Sequence, residues 1–482
     1  MSLKKQTITG FLWVASTRMA SRAVTITATI VLARLLSTDD FGLLATALIF
    51  LAFSEIVGEL GVTTAIIQKK ELSKLDLDTI FIFSIVLSLS TFGALFFISP
   101  IISAFLDAPA LSSVIQLAAL SVIFTGIRAV SVGLLTKEML FKKRSSVDFF
   151  SIVSGGVLAI SLAYSGFGVW SLVWGRILQS SLGAGLAFYH TPWKPSFRFS
   201  FSSLKSMMNF SLPNFGSQIL YFLSEKSGPF IIAKMLGVNL LGYYTIAMNT
   251  SYGPMHQLVN TIYQVCFPMF CKLEQKSTPL DRAFCKVSFI VAFFVVPSMV
   301  GLIIVADDFI RVVLTPKWLP SLFVLRVFCV LTIITSLSAA IPHVLLARHK
   351  QYAMLRFDMV CAVVFPAAAL VAVAYGIDGV AVAFLVVRSM MVAYLYRLGL
   401  FELKLSVKDY LWSLEPAITG TAFMAMFVIA FQHSIALVAE PSVTVGLFGS
   451  CAAGLLSYVA FVYFCRPAAV REFRSIAQNM RA

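Results

Sequence analysis

Ala33-Arg34-Leu35-Leu36-Ser37-Thr38-Asp39-Asp40-Phe41-Gly42, continuing to Ala47, is answered two hundred residues later by Ala233-Lys234-Met235-Leu236-Gly237-Val238-Asn239-Leu240-Leu241-Gly242, continuing to Ala247. A basic residue, a glycine and the outer alanines hold the same places in both. Each stretch is a short polar turn between two long apolar runs, the pattern of a hairpin between membrane-crossing helices. Further on, Tyr164, Gly168 and Val169 are matched in the same order by Tyr375, Gly379 and Val380. Two ordered matches predict a duplicated bundle. Its lobes are 1–190 and 208–400, with six helices each. A linker over 191–207 carries Pro192, Pro195 and Lys205, and residues 401–482 add two further helices and a tail. Six is even, so both lobes run in the same direction. The repeat is parallel, about an axis along the membrane normal, with a cleft between lobes that can rock open to either side.

Working outward, apolar runs of about 18 residues or more recur from Phe11 to Phe464, each long enough to cross a bilayer. They predict an all-α integral membrane protein of about fourteen transmembrane helices. The helices are placed over 8–36, 40–68, 78–106, 110–137, 146–165, 168–190, 208–236, 240–268, 283–306, 318–346, 352–375, 378–400, 413–433 and 442–465. The composition agrees, with 59% hydrophobic and 12% charged residues against about 25% charged in a soluble domain. The strand alternation of an outer-membrane barrel is absent.

The formal charge of +15 points first to nucleic acid, and the positions of the cations exclude it. With the N-terminus in the cytoplasm, most Lys and Arg fall in cytoplasmic connections, among them Lys69, Lys70, Lys137, Lys142, Lys143, Arg144, Lys276, Arg348, Lys350, Lys404, Arg466, Arg471, Arg474 and Arg481. The opposite connections around Asp107, Gly166, Gly237 and Gly376 carry none, and 306–317 is the exception, with Arg311 and Lys317. This asymmetry places both termini in the cytoplasm of a bacterial inner-membrane protein.

Arg18, Arg22, Arg128, Arg176, Lys226, Arg326 and Arg388 lie well inside predicted helices. Each charge at a helix centre costs about 2.5–3.5 kcal/mol on insertion scales, so these groups pair with acids or line a wet cavity. The acids at similar depth are Glu55, Glu59, Glu225 and, nearer one edge, Asp358. Glu55 and Glu59 share a helical face, as do Arg18 and Arg22, which allows structural bridges between the first two helices. The cations still outnumber the acids. A cavity with surplus positive charge suits an anion, and guanidinium forks match phosphate oxygens. Arg34 and Lys234 sit at helix ends and are expected to snorkel to headgroups. Neither the five histidines, His349 among them, nor the seven cysteines show metal-ligand spacing.

No Gly-x4-Gly-Lys-Ser/Thr loop, His-Glu-x-x-His or Gly-x-Ser-x-Gly occurs. Transport is therefore expected to draw on an ion gradient, the membrane potential or the substrate gradient. A proton or sodium ion is the candidate coupling ion, with Glu55, Glu59 or Glu225 to carry or hold it.

The Ala33–Gly42 segment resembles the signature hairpin of polysaccharide exporters in the multidrug/oligosaccharidyl-lipid/polysaccharide superfamily. Leu236-Gly237-x4-Gly242-Tyr243 resembles its second-lobe counterpart. Further matches are Met1-Ser2-Leu3…Thr7-Ile8-x-Gly10-x2-Trp13, Gly61…Ile66-Ile67-Gln68-Lys69, Phe267-Pro268 and Lys317-Trp318. Together they are most similar to the colanic-acid-exporter branch of the lipid-linked oligosaccharide flippases. The resemblance implies a central cationic cavity and carriage of an undecaprenyl-pyrophosphate-linked repeat unit from the cytoplasmic to the periplasmic leaflet. Membrane lipid, a polymerase and glycosyltransferases are the expected partners, with no cofactor and no metal. Three rival readings stand beside it, one of them a scaffold that recruits other assembly proteins, against which the number of intramembrane charges counts. A multidrug exporter of the same superfamily is expected to have a net acidic cavity. A membrane polymerase or ligase is expected to have a long periplasmic loop, where this chain has about a dozen residues at 306–317.

Overall fold

The computed structural model describes residues 3–465 except 61, 70, 276–279, 349, 404 and 439–441. Met1, Ser2, Gly61, Lys70, Lys276, His349, Lys404, Arg466, Arg471, Arg474 and Arg481 lie outside the described residues, as do the side chains of Trp13, Gln68, Phe267 and Pro268. The chain is helical: α1 (Leu3–Leu35), α2 (Thr38–Glu59), α3 (Val62–Gln68), α4 (Lys74–Phe105), α5 (Ala110–Ala118), α6 (Leu120–Lys137), α7 (Phe141–Tyr164), α8 (Val169–His190), α9 (Phe201–Met235), α10 (Val238–Gln275), α11 (Asp281–Ile304), α12 (Ala306–Phe309), α13 (Leu322–Ser338), α14 (Ala340–Ala347), α15 (Gln351–Ala372), α16 (Gly376–Leu403), α17 (Val407–Val438) and α18 (Val443–Cys465). A π turn (Ile310–Leu314) and 3-10 turns (Pro316–Ser321, Val373–Tyr375) complete the order.

Among the described residues, nine helices or helix runs are long and apolar enough to cross a membrane, α15 and α16 counting as one run. The protein is a multi-pass membrane protein. The expected first, sixth, seventh and eighth helices (α1, α8, α9 and α10) fall outside that set. Three of them carry Arg18, Arg22, Arg176, Glu225 and Lys226.

Local chemistry sets the boundaries. Ser37 caps α2 by accepting from the Asp40 N–H at 3.1 Å, and Asp40 accepts from the Ser37 N–H at 2.9 Å. The same reciprocal box joins Ser73 and Asp76 at the start of α4. Each box satisfies two backbone donors that a helix start leaves open. The helix expected over 40–68 is broken at Leu60, which takes a left-handed conformation (φ 34°, ψ 38°) and ends α2. That conformation costs a non-glycine residue about 1–2 kcal/mol. The span expected over 110–137 divides after Ala118, and that over 318–346 opens with a 3-10 turn and divides after Ser338. Within the expected linker, only 191–200 is non-helical, because Ser200 caps α9 and starts it at Phe201.

The chain forms two compact units. The first comprises Met1–Thr245 and Asp358–Ile377, the second Ile246–Phe357 and Asp378–Ala482. In the first, α7 and α8 cross closely through small residues: a Cβ on Gly155 would stand 2.6 Å from the Gly175 carbonyl oxygen. Such contacts let backbones approach where lipid offers no hydrophobic drive. Its buried cluster joins Val62, Ile66, Ile80, Phe81, Val130 and Trp193. The 191–200 segment is stitched to α4: Ser196 donates to buried Asp78, Ser200 N–H donates to Thr79 Oγ1 at 3.1 Å, and Ser203 donates to Asp76. In the second unit, α17 packs on α11 and α18. Tyr458 Oη donates to the Phe293 carbonyl at 3.0 Å, and Arg348 lies between Glu274 (3.5 Å) and Glu402 (3.7 Å).

Candidate functional site

Two cavities lie side by side in the first unit. One, of about 830 Å³, is apolar and bounded by α2, α4 and α9, with Pro366 of α15. Aromatic rings from α2 and α9 meet on its wall, Phe53 with Phe222 at 5.5 Å and Phe50 with Phe230 at 6.2 Å. The other, of about 330 Å³, is polar: Glu55 and Glu59 of α2, Thr125 of α6, and Gln218, Tyr221, Glu225 and Lys226 of α9 line it. Phe222 and Lys226 border both.

The i, i+4 spacing of Glu55 and Glu59 turns both to the polar chamber. Glu55 accepts from Arg176 Nη2 of α8 at 2.6 Å, with each side chain 31% exposed. Glu59 makes no hydrogen bond or ion pair among the described residues; it lies within range of the charges of Glu55, Arg128 and Arg144. Beside this chamber runs a band of guanidinium groups. Arg128 of α6 reaches Asp148 of α7 at 3.2 Å. Arg144, one turn before Asp148, donates to Thr136 Oγ1 at 2.7 Å. Arg18 of α1 lies close enough to Arg144 and Asp148 to feel both charges. Arg22, one turn along α1, is half-buried; its Nε is enclosed and makes no hydrogen bond among the described residues.

The repeated hairpin closes on itself in the same unit. Asn239 Nδ2 donates to Asp39 Oδ1 at 2.8 Å and to Thr38 Oγ1 at 2.9 Å. A Cβ on Gly42 would stand 1.8 Å from the Val238 carbonyl oxygen, and one on Gly242 would stand 2.4 Å from that of Thr38. Residues 38 and 42 thus meet 242 and 238 reciprocally. Lys234 is held at this end of the fold: its ammonium donates to the Phe105 carbonyl, lies over the Phe105 ring and pairs with Asp107 at 3.2 Å.

A family profile described as "Polysaccharide biosynthesis protein" matches residues 31–323, more than half of the chain. The chain belongs to this family. It is 26% identical to the lipopolysaccharide biosynthesis protein WzxC of Escherichia coli K12, over 80% of each chain. In fold it is similar to the lipid II flippase MurJ in an inward closed conformation, with TM-score 0.78 at 16% identity, covering 95% of this chain and 100% of that one. An inward-facing multidrug resistance MATE family transporter of the MOP superfamily follows at TM-score 0.58 and 14% identity, covering 82% and 98%. Likeness at such identity establishes the fold, and the chemistry rests on the residues.

Of the residues singled out from the sequence of this family member, the first unit brings together Arg18, Arg22, Arg128, Arg176, Lys226, Glu55, Glu59 and Glu225. Asp358, half-buried on α15, belongs to the same unit. Arg326, exposed one turn into α13, and Arg388, half-buried on α16, belong to the second unit. The partner of Glu55 is Arg176, 121 positions away, and not Arg18 or Arg22 of the neighbouring helix. Asp148 and Arg144 escaped the sequence reading, which put Arg144 in a cytoplasmic connection, began the fifth membrane helix at 146 and passed over Asp148 within it. Their i, i+4 spacing was the available signal.

Proposed function

We propose that the chain is a flippase for a lipid-linked oligosaccharide, a transporter and not an enzyme, serving polysaccharide assembly. It carries an undecaprenyl-pyrophosphate-linked repeat unit from the cytoplasmic to the periplasmic leaflet of the inner membrane by alternating access. About fourteen helices in two parallel six-helix lobes, 1–190 and 208–400, with two further helices in 401–482 and both termini cytoplasmic, complete the reading. The observation that carries it is the guanidinium band of Arg18, Arg128 and Arg144 beside Arg22, in a chain of the polysaccharide biosynthesis family. Forked donors at membrane depth match a pyrophosphate, with Lys226, Arg176, Arg326 and Arg388 adding positive charge along the path. Glu55, Glu59, Glu225 and Asp358 balance these cations or carry the coupling proton or sodium ion. WzxC and MurJ, whose names place them in lipopolysaccharide synthesis and lipid II flipping, support the substrate class. The polymerase and glycosyltransferases of the same assembly line are the expected partners.

The test is translocation of a fluorescent undecaprenyl-pyrophosphate oligosaccharide by the purified chain in proteoliposomes. Transfer between leaflets is expected to exceed that of empty vesicles and to fall with Arg18→Ala. Efflux of a lipophilic cation with no transfer of the glycolipid would establish the multidrug reading instead.

A further inference from the structure

Lys226 stands in the wall shared by the two cavities. Its ammonium makes no hydrogen bond or ion pair among the described residues, although its neighbour Glu225 lies within range of its charge. The polar chamber holds three carboxyl groups, those of Glu55, Glu59 and Glu225. Arg176 engages the first, while Glu59 is half-buried and has no hydrogen-bonding partner among the described residues. Tyr221 and Phe222 add ring faces, and the apolar cavity of about 830 Å³ adjoins the chamber. Without Lys226, this would be a site for a lipophilic cation: carboxylates for the charge, rings for its face and an apolar recess for its body.

We propose that Lys226 is a specificity-determining residue, a tethered counter-cation that closes the two-chambered site to lipophilic cations. The ammonium supplies from within the chain the positive charge that the acids would otherwise take from a ligand. It does so where an incoming cation would have to pass from the apolar to the polar chamber. A second positive charge there meets repulsion in a medium that screens poorly, and displacing the lysine would strand an ammonium in the apolar cavity. Specificity of this kind works by making the wrong ligand costly. The inference concerns what the site rejects: efflux of a lipophilic cation by wild type would overturn both it and the flippase reading, whereas absence of glycolipid transfer alone leaves it open to its own test.

The probe is tetraphenylphosphonium, with binding measured by equilibrium dialysis on the purified full chain in nanodiscs. Wild type and Lys226→Arg are expected to bind weakly. Lys226→Met is expected to bind at least about tenfold tighter, and adding Glu59→Gln should remove most of that gain. Lys226→Gln, which keeps a polar head, should show the same gain and carries the test if Lys226→Met does not insert. Equal binding by wild type and Lys226→Gln, both monodisperse, would overturn the proposal. So would a gain that survives Glu59→Gln combined with Glu225→Gln, since enlargement of the recess and not charge would then explain it.

Discussion

Asn239 holds the Asp39 carboxylate at 2.8 Å through its side-chain amide. The two residues occupy equivalent places in the two matched segments, so the hairpins whose sequences correspond are also in contact. Asn239→Asp sets two carboxylates against each other and is expected to cost about 1–2 kcal/mol. Asp39→Asn in the same chain should restore the bond with donor and acceptor exchanged. Thermal unfolding of the purified single and double variants measures both. A double variant no more stable than Asn239→Asp alone would mean that the contact contributes nothing.

Gly42 and Gly242 meet backbone carbonyls across this contact at distances that admit no Cβ. Gly42→Ala and Gly242→Ala are each expected to destabilise by about 1–3 kcal/mol, since a carbonyl cannot yield as a flexible side chain can. Gly446→Ala, with open space around the added carbon, is the control and should unfold like wild type.

Glu55 and Arg176 form a pair that is only partly shielded, each side chain being 31% exposed. Glu55→Gln is therefore expected to cost about 1 kcal/mol rather than the larger penalty of a deeply buried pair. Arg176→Gln should cost a similar amount, and the double variant less than the sum of the two. Additive losses in membrane-inserted protein level would show that the two side chains act separately.

Arg22 is half-buried on α1 and its Nε makes no hydrogen bond among the described residues, and the proposed flippase reading assigns its guanidinium to the substrate anion. Arg22→Ala is expected to abolish glycan export while the protein still inserts and accumulates. Arg22→Lys should rescue only partly, because a point charge loses the forked geometry. Export normalised to inserted protein decides the matter; a normal value in Arg22→Ala would make Arg22 a structural residue.

Orientation is tested separately with a reporter active only in the cytoplasm. Fusion after Lys143 should give activity and fusion at Asp107 should give none. Activity at Asp107 would reverse the sides of the connections.

The helical membrane fold was legible because apolar length is a one-dimensional property. The hairpins were legible because turn residues and basic helix ends repeat in register. The break at Leu60 was not: Gly58, Glu59 and Gly61 mark the place, but a left-handed helix end is expected at a glycine and not at a leucine. That charges stand inside long helices was also plain. Their partners were not: Arg176 and Glu55 lie 121 positions apart, and Arg128 and Asp148 lie on helices that α6 and α7 packing brings together. The separation of an apolar recess from an acid-lined one, with Lys226 between, depends on how α2, α4 and α9 pack. No periodicity within one helix encodes it.

The serine stitches along 191–203 have a consequence for anyone building hybrids between relatives. Asp78 is fully buried and takes both the N–H and the hydroxyl of Ser196, and Asp76 takes Ser203 as well as Lys69. Trp193 and Met207, at either end of the same stretch, are sealed into the cluster that α4 shares with α3 and α6. The connector thus packs as part of the body formed by α3, α4 and α6. A splice placed after Met207 carries all of these partners together. One placed at Thr191 hands a buried carboxylate to a foreign connector with no matching hydroxyl, and such a hybrid is expected to be lost to proteolysis before its substrate preference can be read.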